Sequence, residues 1–138
     1  MAFKDRLDVA TLGHWLMDAE HRQLVVLMNE VEIAITSGQD EAAIRTRFEK
    51  LVAWAKLHFA HEDDAIQRSG YDGARRHIAE HRELLTALAA FGASEPSHTL
   101  DRRLRAIDAL RFFDDWLAGH IENEDVPLAA YLSRKGIR

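Results

Sequence analysis

The chain contains no cysteine, and this absence excludes disulfides, thiolate zinc sites, iron–sulfur clusters and a cysteine nucleophile. Long apolar runs are also absent, so no segment is apolar enough to cross a hydrocarbon layer of about 30 Å. Near the N-terminus, Lys4 and Arg6 alternate with Asp5 and Asp8 and no apolar stretch follows, unlike a targeting signal. We therefore expect a soluble, cytoplasmic protein.

The 138 residues carry a formal net charge of −5, and 47% of them are hydrophobic. This length fits one globular domain of about 100–200 residues, so we predict a single domain over residues 1–138. The acidic balance argues against a nucleic-acid backbone as a partner, and nothing indicates a membrane partner.

Glycine and proline are scarce, with seven and two residues, and they cluster near 37–40, 69–73 and 92–96. Between these breaks the apolar residues recur with the 3.6-residue period of a helix, and no alternating pattern indicates a strand. Short connections favour antiparallel neighbours, so we predict an all-α, up-down-up-down four-helix bundle within residues 18–122. The predicted helices span 18–37, 40–68, 73–91 and 98–122, with Asp18 and Asp40 as N-caps of the first two.

The ends of the chain lie outside this pattern. Residues 1–17 are expected to form an N-terminal arm that packs three apolar side chains over the bundle: Phe3, Leu12 and Trp15. Residues 123–138 form a C-terminal segment with a short helix near Leu128–Leu132. The predicted core row of the fourth helix is Leu100, Leu104, Ile107, Leu110, Phe113 and Leu117.

Five of the eight histidines interrupt the apolar stripes instead of lying on polar faces. His58 and Glu62 are four residues apart, which is about 40° of helix rotation, so both side chains point the same way. His77 and His81 repeat this spacing on the third helix. The remaining two are His21, just before Leu24 and Val25 on the first helix, and His120, which continues the row of Leu117 on the fourth.

A core that buried five unpaired imidazoles would be unstable, because each would cost a few kcal/mol out of a typical total of roughly 5–15 kcal/mol. A shared metal centre removes that cost. Asp125 can complete the set, although it lies five residues after His120, which is about 140° around an ideal helix. Because Pro127 disfavours helical dihedrals at Val126, we expect the helix to loosen near Asn123 and to turn Asp125 inward.

The seven candidate ligands offer only nitrogen and oxygen, which suits octahedral iron or manganese better than zinc or copper. Seven ligands are too many for one ion, so we infer two ions. If both carboxylates and one solvent oxygen bridge the ions, one of the twelve octahedral positions stays open for a small ligand. A ferritin-like layout does not fit, because the only Glu-x-x-His in the chain is Glu95 to His98, which contains Pro96.

These residues resemble the hemerythrin family along nearly the whole chain. Its motifs are matched by Asp-Ala-Glu-His ending at His21, by His-Phe-Ala-His-Glu from His58, and by the pair His77 and His81. Trp-Leu-Ala-Gly-His-Ile around His120, followed by Asp125, matches the family's last motif.

The resemblance implies two iron ions, joined by an oxo or hydroxo bridge, that bind dioxygen reversibly. It assigns His77, His81 and His120 to one iron and His21 and His58 to the other, which keeps the open position. Glu62 and Asp125 would bridge the two ions. The residues expected to line an apolar oxygen pocket are Phe59, Trp116, Leu117 and Ile121.

Three histidines are left over. His61 and His14 are possible outer neighbours of the ligands, although an ordinary solvated or core role remains open for both, and His98 is expected on the surface. The acidic pair Asp63 and Asp64 is expected to face solvent.

The predicted function is oxygen storage, delivery or scavenging without catalysis. Two alternatives remain open. One is a di-iron redox enzyme that acts as a peroxidase, as an oxidase or in nitric oxide reduction. The other is an oxygen or redox sensor that acts through a protein partner. The sequence identifies neither a redox donor nor such a partner.

Overall fold

The computed structural model describes residues 11–93 and 99–137, and it describes side chains for these residues except 91–93 and 99–103. Within these ranges the chain is helical and contains no strand, and none of the helices combines the length and apolarity needed to cross a membrane. In chain order the elements are α1 (Trp15–Thr36), α2 (Glu41–Ser69), α3 (Ala74–Ala93), α4 (Thr99–His120), a π-helical segment (Ile121–Asp125) and α5 (Val126–Arg134).

The four long helices form the predicted bundle. Helix α1 packs against α2 and α4, and α3 packs against α2 and α4, so the helices close a ring around one core. Asp40 caps α2 as predicted, because its side chain accepts the N–H of Ala43 at 2.8 Å. At the other end of α2, Gly70 adopts φ +70°, the left-handed conformation that glycine tolerates best. The prediction of an all-α four-helix bundle is confirmed.

On α4 the core follows the C-terminal part of the predicted apolar row but not Leu104. Leu110, Phe113 and Leu117 are each at most 2% exposed, whereas Leu104 is 50% exposed. A step of three residues falls about 60° short of a full helical turn, so two such steps rotate Leu104 by about 120° from Leu110. The prediction for Leu104 was wrong for this reason, and Leu100 lies outside the described side chains.

Helix α1 begins three residues earlier than predicted. Its N-cap is His14, whose Nδ1 accepts the N–H of Met17 at 3.3 Å. Asp18 is therefore not an N-cap, and its carboxylate instead accepts the N–H groups of Leu12 and Gly13 at 2.8 and 3.1 Å. Asp18 thus fixes the segment that enters the helix.

The predicted N-terminal arm is also corrected at Trp15. This residue is the first of α1 and is 64% exposed, so it does not pack over the bundle. Leu12 does pack against the core. Phe3 lies outside the described residues.

The end of the fourth helix loosens where the sequence predicts it, by a different mechanism. Val126 keeps helical dihedrals (φ −58°, ψ −50°), so Pro127 does not break the helix. Instead the turn before it is wider, and the N–H of Val126 donates to the carbonyl of Ile121. Pro127 has no N–H to give to the carbonyl of Asn123, which favours this local change of hydrogen bonding. The chain then continues as α5, which confirms the predicted terminal helix.

Candidate metal centre

The seven side chains predicted as ligands converge at one level of the bundle, and all are at most 4% exposed. Their donor atoms form two groups, and within each group the atoms lie within 4.8 Å of one another. The five-donor group contains Glu62, His77, His81, His120 and Asp125. The four-donor group contains His21, His58, Glu62 and Asp125.

Helix geometry explains this convergence. The four-residue spacing on α2 and on α3 places two donors of each helix one turn apart on the core face. The π-helical segment does the same for His120 and Asp125, because its hydrogen bonds join residues five positions apart. Asp125 is 1% exposed, so the wider turn brings it into the core.

Both carboxylates divide their oxygens between the two groups. Glu62 Oε1 lies 3.1 Å from His77 Nε2 in the five-donor group, and Oε2 lies 2.8 Å from His58 Nε2 in the four-donor group. Asp125 Oδ1 lies 3.0 Å from His77 Nε2, and Oδ2 lies 3.1 Å from His21 Nε2. This is the arrangement that two bridging carboxylates require.

The spacing of donors in the five-donor group suits an octahedral ion. His81 Nε2 lies 3.2 Å from Glu62 Oε1 and 3.1 Å from His120 Nε2, which lies 3.2 Å from Asp125 Oδ1. With bonds of about 2.1 Å, neighbouring donors are about 3.0 Å apart in an octahedron and about 3.4 Å apart in a tetrahedron. The observed 3.1–3.2 Å lies between these two values, but the group has five donors, one more than a tetrahedral site takes.

The contact between two imidazole nitrogens tests whether these residues fit a metal. His81 donates its Nδ1–H to Asp63 at 2.8 Å, and His120 donates its Nδ1–H to Glu80 at 2.9 Å. In the neutral rings the two Nε2 atoms then carry lone pairs, and they face each other at 3.1 Å. A cation bound between them makes this contact favourable, so the donor set fits a metal.

Several donors also lack hydrogen bonds in the part of the chain that the structure describes. His21 Nε2, His58 Nε2 and both oxygens of Asp125 are buried and make no well-directed hydrogen bond, although each lies within about 3.1 Å of another member of the cluster. Buried polar atoms of this kind are costly unless a partner is bound. Two metal ions, one in each donor group, would satisfy all of them.

Three carboxylates that sequence reasoning missed hold the outer nitrogens of the histidines. Glu20 accepts the Nδ1–H of His58 at 2.8 Å. In the same way, Asp63 accepts the Nδ1–H of His81, and Glu80 accepts that of His120. The prediction that Asp63 faces solvent was therefore wrong, because its side chain is only 30% exposed and holds a neighbouring helix. Such contacts fix the tautomer that presents Nε2 to a metal.

The carboxylates of the cluster also set its proton affinity. Burial alone would lower the pKa of His58, but Glu62 and Glu20 raise it to about 10. Burial likewise opposes charge on His77, whereas Asp125 and Glu62 raise its pKa to about 9. Burial would raise the pKa of Glu62, but the surrounding histidines hold it well below the usual range. The carboxylates of the cluster therefore favour bound positive charge, whether protons or metal ions.

Aromatic rings cover one side of the cluster. Phe59 stacks on His81 with ring centroids 4.1 Å apart, and Trp116 stacks on His120 at 4.3 Å. The two aromatic residues also contact each other at 5.7 Å. The other two residues predicted to line an oxygen pocket, Leu117 and Ile121, are each 2% exposed in the same core cluster.

The remaining histidines have different environments. His61 lies at the rim, where its side chain is 42% exposed and its Nδ1 is 2.5 Å from Glu20 Oε2. His14 is buried, but its hydrogen bond is with the first turn of α1. His98 lies outside the described residues.

Comparison with known proteins gives an independent result. The model of the hemerythrin HHE cation binding domain matches residues 12–132. The bacteriohemerythrin of Stenotrophomonas maltophilia is 24% identical over 119 residues, which cover 86% of this chain and 74% of that protein. The bacteriohemerythrin of Methylococcus capsulatus is 26% identical over 108 residues, which cover 78% and 79% respectively. No solved structure matches significantly.

Proposed function

Because this chain belongs to the hemerythrin family, we propose that it binds dioxygen reversibly at a non-haem di-iron centre. The observation that carries the proposal is the unequal pair of donor groups that share Glu62 and Asp125. The bound iron pair would supply the electrons that dioxygen takes up.

The ligand assignment follows the two groups. His77, His81 and His120 would hold one iron and His21 and His58 the other, with both carboxylates shared. A bridging oxo or hydroxo oxygen would complete six positions around the first iron and only five around the second. The four-donor group therefore supports an open position for one small ligand.

The donor chemistry favours iron over the common alternatives. Imidazole and carboxylate without thiolate suit iron, and a structural zinc site would be closed with four tetrahedral ligands. The five donors that converge in one group exceed the four of such a site and support octahedral coordination instead.

The role of the apolar residues is to keep water away from the bound gas. Phe59, Leu117 and Ile121 are fully buried and offer no hydrogen bond that could hold water near the ions. Trp116 stacks on the ring of His120. A dry wall would slow the loss of superoxide and so favour release of intact dioxygen.

The test is metal analysis combined with absorption spectroscopy. The purified protein should contain two iron ions per chain, and the reduced form should gain a charge-transfer band with dioxygen that fades on deoxygenation. Repeated cycles should restore the band, and the variant Asp64→Asn, on the exposed face of α2, should behave like the native protein.

Two outcomes would refute reversible binding. Irreversible oxidation in the first cycle would exclude a carrier. Sustained turnover of hydrogen peroxide or nitric oxide with an electron donor would instead identify a redox enzyme. Binding to a protein partner that differs between the oxygenated and reduced forms would indicate a sensor.

A further inference from the structure

Glu20 occupies an unusual place among the three outer carboxylates. It is 5% exposed, whereas the side chains of Asp63 and Glu80 are 30% and 25% exposed. Its two oxygens contact two different imidazoles, because Oε1 accepts from His58 and Oε2 lies against His61. The other two carboxylates each hold one imidazole of the cluster.

The backbone of Glu20 is held as well. The indole N–H of Trp54 on α2 donates to the carbonyl of Glu20 at 3.2 Å. Glu20 on α1 is therefore tied to α2 at three points, two of them through its own carboxylate. This arrangement leaves the side chain little freedom to turn away from His58.

The four-donor group depends more on one outer contact than the five-donor group does. It has only two imidazoles, and Nδ1 of His21 is buried without a hydrogen bond in the described part of the chain. Among the described residues, His58 is thus the only imidazole of that group with an outer carboxylate. The five-donor group has three imidazoles, of which His81 and His120 are each held.

We infer that Glu20, braced by His61, is the positioning residue that retains the metal ion of the four-donor group. Glu20 fixes the tautomer and ring plane of His58, and His61 holds the second oxygen of Glu20 from the rim. The inference rests on the proposed two-iron centre, but it does not depend on dioxygen binding.

The test measures iron retention by the loaded protein and not its activity. The di-iron protein is dialysed without oxygen against a series of buffered Fe²⁺ concentrations, and the iron per chain is measured. Glu20→Gln should weaken one site by about 10- to 100-fold, as is typical when the outer partner of a ligand is lost. Over that range the variant should retain one ion while the native protein retains two.

Variants of the rim residue and of an exposed carboxylate sharpen the test. His61→Ala should also lose one ion preferentially, and His61→Gln should restore it because an amide N–H can still donate to Glu20. Asp64→Asn, the matched control on the exposed face of α2, should retain both ions, because Asp64 pairs with Arg68 and holds none of the histidines. Mössbauer spectra should show that the remaining ion in Glu20→Gln has the environment of the five-donor group.

Three results would overturn the inference. Glu20→Gln could retain both ions like the native protein, lose both ions together, or lose the ion of the five-donor group instead. The proposed function would fail in a different way. In that case the native protein would retain two ions and Glu20→Gln one, as expected, but the native protein would not bind dioxygen.

Discussion

Loading metal into the metal-free protein should release protons, because the same carboxylates that would bridge the ions hold protons on the histidines in their absence. Glu62 and Glu20 outweigh burial and raise the pKa of His58 to about 10. Asp125 and Glu62 raise the pKa of His77 to about 9. A metal ion needs the free lone pair of a neutral imidazole, so binding must displace these protons.

The size of the effect follows from these two pKa values. At pH 8 each imidazole is protonated in about nine-tenths or more of the metal-free molecules, so about two protons leave His58 and His77 when both ions bind. For each proton released on binding, the apparent binding constant rises tenfold when the pH is raised by one unit. The overall constant for the two ions should therefore rise about 100-fold per pH unit near pH 8.

The assay is an anaerobic titration with Fe²⁺ in weakly buffered solution, with calorimetry in two buffers that differ in ionisation enthalpy. Glu62→Gln removes the carboxylate that most raises the pKa of His58, and it should release fewer protons per bound ion. Asp64→Asn alters an exposed carboxylate on the same helix and should leave the count unchanged. Release of less than one proton per chain by the native protein would refute the reasoning.

Three further predictions concern the ligands, the core and pH. His77→Ala removes one of three imidazoles from the five-donor group, so iron analysis should find fewer than two ions per chain, and full occupancy would contradict the assignment. Phe59→Ala should lower the free energy of unfolding in urea by about 3–5 kcal/mol, because the ring is 2% exposed, and an unchanged value would contradict its packing. Because the pKa values of His58 and His77 are raised in the folded state, their stabilisation of the metal-free protein is complete below about pH 6.5. It is lost progressively as the pH rises from about 6.5 to the pKa of about 9 for His77 and of about 10 for His58. The thermal midpoint should therefore fall between about pH 6.5 and about pH 10. The midpoint of the iron-loaded protein should change less, and a constant midpoint in the metal-free protein would contradict the prediction.

The relations that could be predicted best from the sequence are those between two residues on the same helix. His58 and Glu62, one turn apart, must share a face in any regular helix, and the neighbouring apolar residues indicate that the face is buried. The same argument applies to His77 and His81. Local periodicity therefore sufficed to place these side chains in the core, although it does not reveal distances between helices.

The outer carboxylates escaped prediction because each acts on the next helix. Glu20 on α1 holds His58 on α2, Asp63 on α2 holds His81 on α3, and Glu80 on α3 holds His120 on α4. Each acidic residue is adjacent in sequence to a candidate ligand, so its side chain points about 100° away from that ligand and toward a neighbouring helix. An acidic residue beside a core histidine or glutamate was the available signal. On its own it is indistinguishable from an ordinary solvated charge.

Asp125 was placed correctly for a reason that needs correction. An α-helix would separate it from His120 by about 140°, whereas hydrogen bonds between residues five apart bring both to one face without ending the helix. The wider turn is also held from outside, because Arg76 on α3 lies 3.1 Å from Glu124, the residue before Asp125. The site therefore depends on the hydrogen-bonding pattern of one turn. The missing N–H of Pro127 favours that pattern, and the ion pair between Glu124 and Arg76 on α3 is a tertiary contact that the sequence does not reveal.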